Sequence, residues 1–384
     1  MVCAWVSLLS SGGLPLCQAS SDGVETSFAV EGVLSALQTS AGVAGADITH
    51  IETDTALISY AKSGDIVMFA ATSGLPQKLA ESLLRSVSSL LDTMNGPGWA
   101  AGLTTQQTRH RAKKVVPVLS KVIVDGAPSV AMLGLPRIDL RPPPTAFDQV
   151  LAKAVEGIPG GRAAIIDVDG SVAQCTPSWW AMRPQDAWSL IQLASCLDSS
   201  VLADTDVFVP DPQQPTLPVS ATRLTVAPVG EIHRLVIVMP QDANVERATG
   251  AASGVKVDLT EHPTLDPGIK AFMFVHEGKR VATWTGPDRS LNGSHQATLL
   301  QMQSNFASES ELHNSNVGPH IRVPEMISIS QDGTVAYSLT GSDNSTLHLL
   351  LTTQVPASCY TAVATKTLQA LANAASAMGN HRDR

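Results

Sequence analysis

Two carboxylates stand two residues apart at the end of an apolar run in Ala163–Gly170, AAIIDVDG. An apolar strand that ends in Asp-x-Asp-Gly, with Asp167 and Asp169 as its carboxylates, is the sharpest enzyme-like signal in the chain. The same residues read as the first strand and turn of a hairpin, because Asp-Gly favours the tight turns that join antiparallel strands.

Other clusters carry metal-ligand types. His50, Glu52 and Asp54 alternate along THIETD and so share one strand face. Glu261, His262 and Asp266 fall close together in TEHPTLD. A solvated strand face and a linker explain these two sets as well as a metal does. Walker A, G-x-S-x-G and H-E-x-x-H patterns are missing from the sequence. Arg109–Lys114, RHRAKK, is the only dense basic run. On a helix, Arg109, Lys113, His110 and Lys114 share a broad face. With Arg111 they form a surface suited to anionic lipid headgroups or to the acidic surface of a partner. Trp179, Trp180 and Trp188 suit either an interface or a small core.

The elements that must position these groups follow from composition and pattern. Hydrophobic residues make up 44% of the chain and charged residues 15%, which predicts well-buried globular domains. Aromatics are only 4%, so the cores must be built from Leu, Val, Ile and Ala. The formal charge of −9 argues against nucleic acid as a partner. Five cysteines without a C-x-x-C pair predict reduced, mostly buried thiols and a cytoplasmic setting. The first basic residue is Lys62, so Met1–Ala19 lacks the basic start of a signal peptide and is expected to be structural.

Leu8–Ser20, LLSSGGLPLCQAS, predicts two strands joined at Gly12-Gly13. A helix follows over 28–40, with Val33 and Leu37 expected toward a core and Val30, Leu34 or Ala41 left outside. Asp47–Glu52, and two more β-branched segments after it, read as antiparallel strands. Two helical stripes then follow, the second bent or ended near Pro117. The order is ββ-α-βββ-αα. It starts again near Arg162, with a hairpin at Asp169-Gly170 and a degenerate helical ending. It starts a third time near Ile269, with hairpins at Glu277-Gly278 and Asp332-Gly333. The predicted fold class is α+β, with three tandem domains over 1–126, 127–250 and 266–380. Each is a five-stranded antiparallel sheet flanked by helices.

Two resemblances follow. The Asp-x-Asp-Gly strand resembles the first motif of haloacid-dehalogenase-type phosphatases, which implies a metal-dependent hydrolase with Asp167 as nucleophile and Asp169 as general acid, Mg2+ screening the pair. That family also uses a later lysine and an acidic metal-binding pair at strand ends, for which the sequence offers no convincing candidate. The repeated order, with SSGGLPL at 10–16, Trp179-Trp180 after the second hairpin, VFVPDPQQPTLP at 207–218 and LHLLLTT before a final helix, resembles the tri-longin family of planar cell polarity effectors. Asp242–Asp266 and Asn305–Val323 have no counterpart in that resemblance.

The tri-longin resemblance implies a non-catalytic subunit with no cofactor. Its expected partner is an Inturned-like multi-longin protein, with which it forms an exchange factor for a Rab-family small GTPase. Other ciliogenesis and planar polarity effector subunits, peripheral membrane contact and a location at the ciliary base and cytoskeleton are also implied. Longin pairs meet through the first helix and the following edge strand, which implies Val30, Leu34, Ile48 and His50 at the interface. A longin trafficking adaptor without exchange activity is the third reading.

Overall fold

The computed structural model describes residues 4–20, 28–73, 76–123, 130–197, 202–211, 219–252, 255, 265–285, 293–316, 325–329 and 334–379. The first sheet contains β1 (Ala4–Ser10), β2 (Pro15–Ser20), β3 (His50–Glu52), β4 (Leu57–Ser63) and β5 (Ile66–Thr72). α1 (Phe28–Val43) interrupts it, and α2 (Gln77–Asn95), α3 (Thr105–Lys113) and α4 (Val116–Ile123) follow. The second unit comprises α5 (Thr145–Val155), β6 (Arg162–Asp167), β7 (Val172–Cys175), α6 (Pro177–Trp180), α7 (Pro184–Cys196), β8 (Ala203–Phe208), β9 (Ala221–Val229), β10 (His233–Pro240) and α8 (Val245–Gly250). The third comprises β11 (Ile269–His276), β12 (Arg280–Thr285), α9 (Gly293–Asn316), β13 (Glu325–Ile329), β14 (Val335–Thr340), β15 (Thr346–Leu351) and α10 (Tyr360–Gly379).

All three sheets are five-stranded and antiparallel, and their strand orders correspond: β2-β1-β5-β4-β3, β7-β6-β10-β9-β8 and β12-β11-β15-β14-β13. The hairpin turns lie where the sequence places them. Gly13 has φ +78, and a Cβ there would fall 2.6 Å from the Ser35 Oγ, so glycine is required twice over. In the third sheet Glu277 (φ 50) and Gly278 (φ 69) are both left-handed. The Glu277 N–H donates to Ser345 Oγ at 3.1 Å, which helps to hold a conformation that glutamate seldom adopts. The expected turn at Asp332-Gly333 lies outside the described residues.

The helix after α3 starts at Val116, with Pro117 in its first turn, where the missing N–H has no intrahelical role. The chain therefore breaks at Lys114-Val115 and resumes through Pro117, where the sequence had suggested a bend or an end. Among the described residues the second unit has no long C-terminal helix, since α8 has only 6 residues. α5 takes its place: Phe147, Val150, Leu151 and Ala154 pack with Ala163, Ile165 and Ile237 on that face of the sheet.

α7 covers the opposite face of the second sheet and is itself covered by α2 of the first unit. Trp188, Leu190 and Ile191 share one core with Leu83, Val87 and Leu90. α2 therefore serves two domains, which is why it is buried nearly all round.

Candidate functional site

Asp167 ends β6, whose neighbours β7 and β10 both run antiparallel to it. This is not the parallel sheet that the phosphatase motif requires, and the phosphatase reading is dropped on that ground. The Asp167 carboxylate instead builds the turn. It accepts the N–H of Asp169 at 2.9 Å and of Ser171 at 2.8 Å. Burial raises its pKa; the Ser171 N–H opposes this, while Asp169 and Asp139 push the same way. The Arg141 guanidinium forks onto Asp139, with Nε–Oδ2 at 2.6 Å, and its Nη2 lies 3.8 Å from Asp167.

The other candidate metal sets disperse. His50, Glu52 and Asp54 are exposed. His50 Nδ1 lies 3.2 Å from the Gln77 amide at the start of α2. Glu261 and His262 fall outside the described residues, and Asp266 caps a turn by accepting the Gly268 N–H at 2.8 Å. Among the described residues, no group of three or more His, Cys, Asp or Glu side chains is arranged to hold a metal. Burial lifts the thiols of Cys17 and Cys175 to about 12, so neither is a ready nucleophile.

The tryptophans divide between core and junction. Trp179 and Trp188 are buried, and Trp180 lies beneath Arg280, whose guanidinium carbon is 3.5 Å from the ring centroid. Between α2 and the start of α7 runs a cleft of about 440 Å3, with Arg85, Asp92 and Phe208 in its walls and the Arg183–Asp186 pair at its side.

The surface that stands out is α1 with β3. Val30 is 43% exposed, Val33 60% and Leu37 44%, while Leu34 is buried at 5%. Two expectations are therefore reversed. Leu34 belongs to the core, packed with Leu9, Tyr60 and Phe69, and is not available to a partner. Val33 and Leu37 face outward.

The reason lies in which stripe meets the sheet. Glu31 and Leu34 turn inward, with Gln38 half-buried beside them. Ser7 on β1 donates to the Glu31 carboxylate and so satisfies it inside. The only charged residue in α1 is thus buried, and the outer face carries no charge and exposes Val30, Val33 and Leu37. Apolar periodicity alone chose the wrong stripe, because it had no means of assigning a carboxylate to the interior.

β3 is an edge strand of the first sheet, as expected. Thr49 O accepts from Tyr60 N and Thr53 N donates to Ala56 O. By the antiparallel alternation, the backbone groups of His50 and Glu52 point away from β4. Ile48 lies just before β3, half-buried against the Leu9–Phe69 cluster.

α3 carries the basic run. Thr104 and Gln107 form a capping box at its start. Arg109, Lys113 and Lys114 are exposed, whereas Arg111 is half-buried and donates to the Trp99 carbonyl at 3.4 Å. No acidic residue occurs between Asp92 and Asp125, so this stretch is positive within an acidic protein. No helix among the described residues is long and apolar enough to cross a membrane.

No known protein-family profile matches the chain, and no curated protein is significantly similar to it.

Proposed function

We propose that the protein is a non-catalytic tri-longin subunit, similar in role to the planar cell polarity effector Fuzzy. It assembles with an Inturned-like multi-longin protein through α1 and the β3 edge. The pair acts as a guanine nucleotide exchange factor for a Rab-family GTPase, alongside other ciliogenesis and planar polarity effector subunits at the ciliary base. Support comes from three sheets of one topology and, above all, from a helix whose charged residue is buried while Val30, Val33 and Leu37 face water. Such a helix has the composition of an interior element, and no described residue covers its outer face. The outward backbone groups of His50 and Glu52 offer a strand pairing beside it.

Exchange requires only a surface that binds the nucleotide-free GTPase best, with no covalent step. Arg109, Lys113 and Lys114 supply a basic patch for peripheral contact with anionic lipid or for the GTPase. The experiment is reconstitution of the pair with a panel of Rab proteins, reading release of a fluorescent guanine nucleotide. Acceleration by the pair and none by either subunit alone is expected. Assembly of the pair with no acceleration of any Rab would favour the adaptor reading.

A further inference from the structure

The second and third sheets do not end where their ladders end. The extended segment Pro136–Asp139 runs between their facing edges, parallel to β7 on one side and to β12 on the other. Toward β7, Val172 N–H donates to Arg137 O at 2.9 Å and Asp139 N–H to Val172 O at 2.8 Å. Toward β12, Ile138 N–H donates to Val281 O at 2.9 Å and Val281 N–H to Pro136 O at 3.1 Å. Two strand edges that would otherwise be open to pairing are thereby closed on each other. Arg280 adds a side-chain pin, stacked on Trp180 and donating to its carbonyl.

The same segment is tied to the first unit. Ser82 Oγ on α2 donates to Leu133 O at 2.7 Å. Gly134, at φ +66, lies so close to α2 that a Cβ would fall 1.7 Å from Ser86 Oγ. We propose that Pro136–Asp139 is a coupling strand. It joins the second and third sheets into one continuous body and, through the Gly134 contact with α2, makes the placement of the third unit follow that of the first. A partner docked on one end of the molecule is then held in fixed geometry to the other.

The test uses the full chain and amide hydrogen exchange. Val281 sits on an edge strand with its N–H aimed at the segment, so proline there removes a seam bond and leaves β11–β12 bonding in place. Val281→Ala loses comparable side-chain packing and keeps the N–H. Val281→Pro is expected to speed exchange at Asp139 and Val172 at least tenfold relative to Val281→Ala, and to make the third unit melt in a separate transition. Equal exchange and one shared transition in both variants would overturn the proposal. Should Val281→Pro fail to fold, Gly134→Ala acts from the α2 end. It is expected to speed exchange at Ile138 and Asp139 while β10 stays protected, and unchanged exchange at those two amides would also overturn it.

Discussion

α1 and α7 occupy the same place in their units, each following a hairpin and lying on the corresponding face of a five-stranded sheet. Each has a single charged residue within the helix, Glu31 in α1 and Asp186 in α7, and both are buried and partnered. Their surroundings differ. α7 is enclosed between the second sheet and α2, and the side chains from Asp186 to Ile191 are all buried. α1 has a sheet beneath it and nothing among the described residues above Val33 and Leu37. The comparison teaches that α1 is composed like an enclosed helix while the described residues cover only one side of it. α2 covers α7 within the chain; the proposed function assigns the cover of α1 to a partner.

The largest effect should separate the two helices directly. Trp188→Ala in α7 removes a fully buried indole and should cost about 3–5 kcal/mol of stability. Val33→Ala at the outer face of α1 should shift stability by no more than about 0.5 kcal/mol. Denaturant titration of both variants checks this, and a comparable loss in Val33→Ala would mean that α1 is already covered in the free protein.

A second test contrasts the units by acid sensitivity. Burial holds His348 in β15 at about 3, with Ser338 at 2.7 Å and Gln303 at 2.6 Å on its two ring nitrogens. Burial also lowers His233 and His276. In the first unit, His50 and His110 are exposed. A histidine depressed in the fold favours folding fully above its unfolded pKa, near 6.5, and this is lost as pH falls toward the folded value. The slope is at most about 1.4 kcal/mol per pH unit for each such group. Between pH 7 and 4, exchange protection should therefore fall first in the second and third sheets, and His348→Gln should flatten the response of the third. Earlier loss in the first sheet would break the contrast.

The smallest effect concerns α3. Lys113→Ala should weaken binding to anionic vesicles about fivefold, from roughly 1 kcal/mol per basic residue near a charged surface, with no change in melting. Unchanged vesicle binding would assign the basic patch to a protein partner or to solvent.

The strand and turn plan was legible because its signals are local. Ser-Gly-Gly, Asp-Gly and Glu-Gly each force a reversal between β-branched runs, and the same order recurs three times. The hairpin reading of Asp167 was legible for the same reason. The orientation of α1 was not, since it depends on Ser7, 24 residues from Glu31, donating a hydrogen bond to that carboxylate in the interior. Nor was the coupling strand, because the backbone of Pro136–Asp139 pairs with strands far away in sequence. Its bonds to Val172 and Val281 exist only after two other sheets have formed. The role of α5 as cover for the second sheet follows from the shortness of α8, a tertiary circumstance.

The most direct test of the central claim is assembly of the double variant Val33→Asp/Leu37→Asp with the Inturned-like partner, measured by mass photometry on purified proteins beside wild type. Two carboxylates in a buried interface should weaken pairing by at least about 2 kcal/mol, roughly 30-fold in Kd, while the melting curve of the free subunit stays within a degree or two of wild type. The account predicts a one-to-one complex for wild type and separate subunits for the variant at the same concentration. A variant that is folded and pairs as tightly as wild type would contradict it.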